Sequence, residues 1–426
     1  MIVVVIGGGW AGCSAALEAC KCGAEVILLE RTDMLLGLGN VGGIMRNNGR
    51  FTAAEEMIAL GGGELFELTD SCSTHSNVDF PGHSHASLYN VLKIEAEVRR
   101  YLINMGINIR FEARACDIEI SNKFIKGIYL SDGSLIEGDV FVETTGSTGP
   151  IGNCLRYGKG CSMCILRCPS YGPRVSISKR AGVEDIQGKR KDDSYGAMSG
   201  SCKLSKDSLS DSLREKLQED GVVVLPVPPE DVNFSKLDMK VCQQYALKEF
   251  AENIVLLDTG HAKLMTSYYP LDKLRKIPGL ENVRYEDPYS GGKANSIRYL
   301  SMAPRDNTMK VKGIDNLFVG GEKSGLFVGH TEAIVTGCLA GYNAARQCAG
   351  RAPEVLPEDL AVGDIIAYEN SMKETSDGIT QRYTFAGADY FNRMKEKGLY
   401  TTDRDYIVQK IEHMGMKDFF NKKRIL

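Results

Sequence analysis

Ile2-Val3-Val4-Val5-Ile6-Gly7-Gly8-Gly9-Trp10-Ala11-Gly12 is the stretch on which the fold of this chain turns. The β-branched run predicts a strand buried on both faces of a parallel sheet. The glycines that follow are spaced Gly-x-Gly-x-x-Gly. Gly7 permits a tight turn, Gly9 lets the backbone approach a pyrophosphate, and Gly12 lets a helix close on the strand. That helix, over about residues 10–21, would point its positive end at phosphates. A second strand over residues 25–29 ends at Glu30, an acid placed to accept from a ribose 2′-hydroxyl and unsuited to a 2′-phosphate. An ordinary glycine turn is the bland alternative, but it does not account for strand, helix, strand and acid in that order.

NAD and FAD share this fingerprint, and three later segments separate them. Leu36-Gly37-Leu38-Gly39-Asn40-Val41-Gly42-Gly43 is a second glycine-rich loop, placed where a ligand longer than NAD needs more backbone contact. Asp139-Val140-Phe141-Val142-Glu143-Thr144-Thr145-Gly146 reads as a returning strand and small-residue turn. Asn316-Leu317-Phe318-Val319-Gly320-Gly321-Glu322 reads as a late strand ending in Gly-Gly-Glu, with a helix over residues 329–346 after it.

This arrangement resembles the two-dinucleotide-domain flavoproteins over the first 150 residues and about 300–350. The resemblance implies FAD, with the Glu322 carboxylate on a cofactor sugar and the late helix aimed at the flavin pyrimidine. There its partial positive charge would stabilise the anion of reduced flavin. The implied cofactor residues are Gly7, Gly9, Trp10, Ala11 and Gly12; Glu30 and Arg31; Gly39, Asn40, Gly42 and Gly43; Cys116; Thr145 and Gly146; and Gly321, Glu322, Gly329, His330 and Thr331. Glu322 could instead be a solvated loop acid, and His330 a surface imidazole. Lys323 fits a place near flavin N5 or, better, a salt bridge to a neighbouring acid.

The opening from Gly7 through Ala19 also resembles the glucose-inhibited division protein A group, whose members modify tRNA wobble uridines. Asp315 to Glu322 with Gly337-Cys338-Leu339-Ala340-Gly341-Tyr342-Asn343-Ala344-Ala345-Arg346 is similar to the folate-dependent tRNA uridine methyltransferase flavoproteins. A broad family of FAD-dependent oxidoreductases fits residues 1–60 equally well. The expected fold is therefore α/β: a discontinuous Rossmann-like FAD-binding domain (1–150 and 296–350), an inserted α+β substrate or redox domain (151–295) and a helical C-terminal segment (351–426).

Among 13 cysteines, Cys161-Ser162-Met163-Cys164-Ile165-Leu166-Arg167-Cys168-Pro169 stands out as the last three ligands of a bacterial ferredoxin run. Gly158 occupies the place of the first ligand, so Cys154, Cys202 or a cysteine elsewhere would have to supply the fourth thiolate. A [4Fe-4S] cluster on Cys154, Cys161, Cys164 and Cys168 competes with a Cys161/Cys164 dithiol and with zinc. The residue reading thus favours an FAD-dependent oxidoreductase passing electrons between flavin and a cluster or dithiol. A flavin-dependent tRNA uridine-modifying enzyme and a flavin-carrying electron-transfer subunit are its alternatives.

Lys and Arg number 51 against 55 Asp and Glu, a net charge of −4, so no global electrostatic term favours nucleic acid. A small-molecule or protein redox partner is expected; tRNA is allowed but not favoured. Apolar runs such as residues 2–6 fall far short of the roughly 20 residues that span a bilayer. A strand starting at Ile2 leaves no room for a leader, so a cytoplasmic protein without membrane contact is expected. Residues 298–305 precede the late flavin strand and are placed on the substrate side of the ring. The aromatic residues of the last segment predict helices that pack on the core or on a second copy in a homodimer.

Overall fold

The computed structural model describes residues 1–146, 171–198, 202–238, 240–266, 269–286 and 297–421. Its centre is a five-stranded parallel sheet. The strands are β1 (Ile2–Ile6), β2 (Glu25–Leu29), β3 (Asn108–Arg110), β4 (Val140–Glu143) and β5 (Leu317–Val319), in spatial order β5-β4-β1-β2-β3. Val3 pairs with Val26 on one side and Val140 on the other, and Phe141 pairs with Leu317. The strand order reverses at β1, and such a switch point opens a crevice at the carboxyl ends of the strands.

Both faces of the sheet are covered, as the apolar run of β1 requires. Val3 and Val5 face a core shared with α1 (Trp10–Lys21), α2 (Gly49–Ala59) and α3 (His330–Cys348). Val4 and Ile6 face the other way, onto Ile125, Ile128 and Ile136 of an antiparallel meander over residues 115–137. Helices α1 and α3 cross at backbone contact: a Cβ on Gly337 would lie 2.2 Å from the Ala11 carbonyl oxygen, and one on Gly341 would lie 2.1 Å from that of Ala15. Two glycines four residues apart lie on one helix face, which is why α3 can sit this close.

The inserted region forms a four-stranded antiparallel sheet, ordered Cys202–Leu204, Ala262–Leu264, Asn253–Asp258, Val222–Pro226. Its inner face does not stand alone. Val255, Leu257 and Met265 pack on Ile44, Phe80, Ala86 and Leu88, so this second body recruits the strands of residues 44–89 from the amino-terminal part. The carboxyl segment contains α4 (Ala361–Met372), α5 (Ala388–Glu396) and α6 (Arg404–His413). Their Tyr390, Met394, Ile407 and Ile411, with Phe419 and Phe420 beyond, join the principal core of this chain. No helix among the described residues is long and apolar enough to cross a membrane.

Arg305 does not face the crevice. It is wholly buried and pairs with Glu369 at 2.7 Å. The same carboxylate lies 3.8 Å from Lys373, whose Nζ has no hydrogen-bond partner among the described residues and whose pKa burial draws down to about 7. Unfolded, this lysine keeps its proton up to its ordinary value of 10.5. The unfolded state therefore binds more protons across that window, and stability rises with pH through it. Lys373→Met should stabilise the protein at pH 7 by on the order of 2 kcal/mol and flatten that rise. Urea unfolding at pH 7 and pH 10 measures both effects; a variant less stable than the parent at pH 7 would show that the lysine is paired.

Candidate functional site

The crevice at the carboxyl ends of β1, β4 and β5 is a cavity of about 790 Å³, a size usual for small-molecule and cofactor sites. Gly7 turns the chain at φ +107°, and a Cβ there would lie 2.6 Å from the Thr144 carbonyl oxygen. Gly9 has open space where a Cβ would be, so backbone alone borders the cavity at that point. Glu30 is held in place rather than free. Its Oε2 accepts from the Gly8 N–H at 2.8 Å and its Oε1 from the Thr32 N–H at 2.9 Å.

The glycine-rich loop folds back over this turn. The Leu36 N–H donates to the Gly8 carbonyl at 2.7 Å, while Lys203 and Lys263 of the inserted sheet donate to the carbonyls of Asn40 and Val41 at 2.9 and 2.5 Å. On the opposite side, the Gly321 N–H donates to Thr336 Oγ1 at 2.8 Å, and Glu322 borders the cavity. Gly329 caps helix α3, whose amino end lies on the cavity. His330 also borders the cavity and is wedged beside Gly42, 6.3 Å from the Trp10 ring.

A further wall comes from residues 173–175. Arg31 donates to the Gly172 carbonyl, and Arg114 to that of Pro173 at 2.8 Å, which fixes this segment across the nucleotide end. Its continuation is anchored by charge. Lys323 Nζ lies 2.7 Å from Asp185, 2.8 Å from Ser176 Oγ and 3.8 Å from Glu143, whose carboxylate accepts from the N–H groups of Ile177 and Ser178. Burial pushes the Glu143 carboxyl up, against the pull of Lys323. Lys323 is thus a buried tie between acids and does not border the cavity.

Of the residues expected to hold a cofactor, Gly7, Gly9, Trp10, Ala11, Glu30, Arg31, Gly39, Asn40, Gly42, Thr145, Gly146, Gly321, Glu322, Gly329 and His330 border this one cavity. Gly12, Gly43, Cys116 and Thr331 do not. Gly12 lies behind the turn, where a Cβ would come within 1.7 Å of the Gly7 carbonyl oxygen. Gly43 abuts Thr259, Cys116 takes a contact from Arg114 at 3.2 Å, and Thr331 Oγ1 is buried against Met45 Sδ at 3.2 Å. Sequence reasoning missed Arg50, Arg114 and Arg174 and the wall from Lys203, Lys240, Cys242, Gln244 and Lys263. None of these carries a spacing that marks a site.

The cavity fits a dinucleotide carrying a ring system. Glycine backbone borders it at both ends, and bordering Asn40 holds a buried side-chain oxygen with no hydrogen-bond partner among the described residues. Cys154, Cys161, Cys164 and Cys168 lie outside the described residues. Among the described residues no group of three or more potential ligands gathers to hold a metal ion. Cys202, the other candidate thiolate, is buried at the cavity wall, and desolvation pushes its thiol up to about 12.

Comparison with known proteins agrees with this geometry. The family described as "Glucose inhibited division protein A" matches residues 2–252 and 256–352. The tRNA uridine 5-carboxymethylaminomethyl modification enzyme MnmG of Mycoplasma mycoides is 22% identical over 84% of this chain, and that of Clostridium botulinum strain Loch Maree is 23% identical over 99%. The chain spans 64% of the length of the first and 74% of the second. The methylenetetrahydrofolate–tRNA-(uracil-5-)-methyltransferase TrmFO of Caldicellulosiruptor bescii is 32% identical, over 29% of this chain and 28% of its own length. The solved structure of Aquifex aeolicus GidA superposes with a TM-score of 0.64 at 19% identity, covering 99% of this chain and 74% of that one, which shows a shared fold. With the family matched along most of its length, this chain belongs to the glucose inhibited division protein A family.

Proposed function

We propose that the protein is an FAD-dependent enzyme that modifies uridine in tRNA. The family assignment supports FAD and, through the activities of the relatives, a tRNA uridine substrate; it favours this over electron transfer to a cysteine-bound cluster. The observation that carries the reading is the cavity's second wall. Among the described residues of the inserted region it is bordered by Lys203, Lys240 and Lys263 and by no carboxylate, whereas Glu30, Glu95 and Glu322 lie elsewhere in the chain. A cationic wall facing a dinucleotide cradle suits a base whose carbonyl oxygens arrive together with phosphates.

FAD, when bound, supplies electron-pair transfer to or from carbon. The chain's own residues do the rest. The turn at Gly7 and Gly9 and the amino end of α1 would hold the pyrophosphate, and Glu30 the adenosine ribose. The amino end of α3, capped by Gly329, would place partial positive charge beside the flavin pyrimidine. Lys203 and Lys263 hold the glycine-rich loop against the inserted sheet, which ties the cofactor cradle to the substrate wall.

Protein purified with its flavin should bind tRNA transcript with an affinity that falls steeply with salt, and should alter the mass of a uridine nucleoside when supplied with a reductant and a one-carbon donor. Nucleoside digestion with mass spectrometry reads the product. A yellow, folded protein that leaves tRNA unbound and unchanged, and that carries iron with acid-labile sulfide, would overturn the reading in favour of electron transfer.

A further inference from the structure

One short segment of the inserted wall, residues 240–245, brings Lys240, Cys242, Gln244 and Tyr245 to the cavity. It is pinned at both ends. Lys240 Nζ donates to the carbonyls of Tyr245 and Met265 at 3.1 and 3.3 Å, and His83 Nε2 lies 3.0 Å from the Gln244 carbonyl. Burial draws the His83 pKa down to about 3, so this imidazole is neutral and donates through Nε2. Between the pins, Cys242 and Gln244 both border the cavity; Cys242 is half-buried and Gln244 is only 2% exposed. Gln244 Oε1 is buried and has no hydrogen-bond partner among the described residues.

A buried amide oxygen without a donor costs about 1–3 kcal/mol. The pinned backbone keeps this side chain at the cavity wall, where a donor arriving through the cavity would recover the cost. A carboxamide carries an acceptor and a donor side by side, which matches the –NH–C(=O)– edge of a heterocyclic base by two parallel hydrogen bonds. We propose that Gln244 is the specificity residue of a substrate subsite beside Cys242, taking a base edge whose ring N–H donates to Gln244 Oε1 and whose carbonyl accepts from the Gln244 amide. The base being uracil rests on the uridine reading above; the recognition of a lactam edge does not.

Cys242 provides the readout. The flavin-loaded full chain is treated with iodoacetamide, and alkylation of Cys242 is followed by peptide mass mapping with uridine, N3-methyluridine or inosine present. Uridine should protect at a concentration about tenfold lower than N3-methyluridine does, a ratio that is the weight of one well-made hydrogen bond. Gln244→Met, with its flavin spectrum intact, should lose the protection by uridine. Protection by inosine alone would keep the subsite and overturn uridine as the substrate. Equal protection by uridine and N3-methyluridine, absence of protection by any of the three, or a Cys242 that never reacts would overturn the subsite, while tRNA modification is judged by its own assay. Because the methylated probe is compared on the unaltered chain, the test holds even if Gln244→Met fails to fold.

Discussion

Gly12→Ala should purify without bound flavin and take up none when FAD is supplied. A Cβ at this position would lie 1.7 Å from the Gly7 carbonyl oxygen and 2.8 Å from Thr144 Oγ1, and neither the turn nor β4 has slack to give. Thr144 Oγ1 already donates to the Gly7 carbonyl at 2.7 Å, so the turn, the helix start and the end of β4 are locked together. Relief requires α1 to move off the sheet, which withdraws its amino end from the pyrophosphate and breaks the crossing with α3. The loss should exceed about 4 kcal/mol, the range reserved for steric failure in a core. Absorbance near 450 nm and the urea midpoint measure cofactor and fold separately. A yellow Gly12→Ala protein of parental stability would mean that the opening turn does not hold the cofactor.

Arg50→Met should cost about 3–5 kcal/mol, because it strands a carboxylate in the core. Arg50 Nε lies 3.1 Å from Glu332, and its other nitrogens donate to Asn47 and to the Val328 carbonyl at 3.1 and 3.0 Å. Glu332 is fully buried and also accepts from Thr384 Oγ1 at 2.8 Å and from the Phe385 N–H at 2.9 Å. Adding Glu332→Gln to Arg50→Met should restore most of the loss, since the amide oxygen still serves Thr384 and Phe385 while the unpaired charge is gone. A double-mutant cycle in urea reads the coupling. Flavin affinity should fall in the single variant too, because Arg50 borders the cavity and holds the carbonyl of Val328, just ahead of Gly329 and α3. If single and double variants are equally unstable, the arginine acts by packing alone.

The elements of the sequence that were legible share one property: their meaning is local. Strand, glycine turn, helix and acid lie within the first 30 residues, and the late Gly-Gly-Glu lies directly before its helix, so backbone geometry leaves them little freedom. The misplacements follow from the same limit. Residues 298–305 adjoin the flavin strand in sequence, yet Arg305 turns into the core because Glu369, 64 residues on, is there to pair with it. Cys116 and Thr331 neighbour cavity residues along the chain, but their side chains point elsewhere, toward Arg114 and Met45.

By itself the sequence determined the parallel dinucleotide fold and the two ends of its crevice, since short-range sterics and hydrogen-bond geometry admit few other readings of those glycines and acids. Only the tertiary structure decided what closes the crevice. The Arg50–Glu332 pair joins residues 282 apart, and Lys263 reaches a carbonyl 222 residues away. Contacts of that span arise where packing happens to bring two surfaces together, and packing leaves no periodic trace in a single chain.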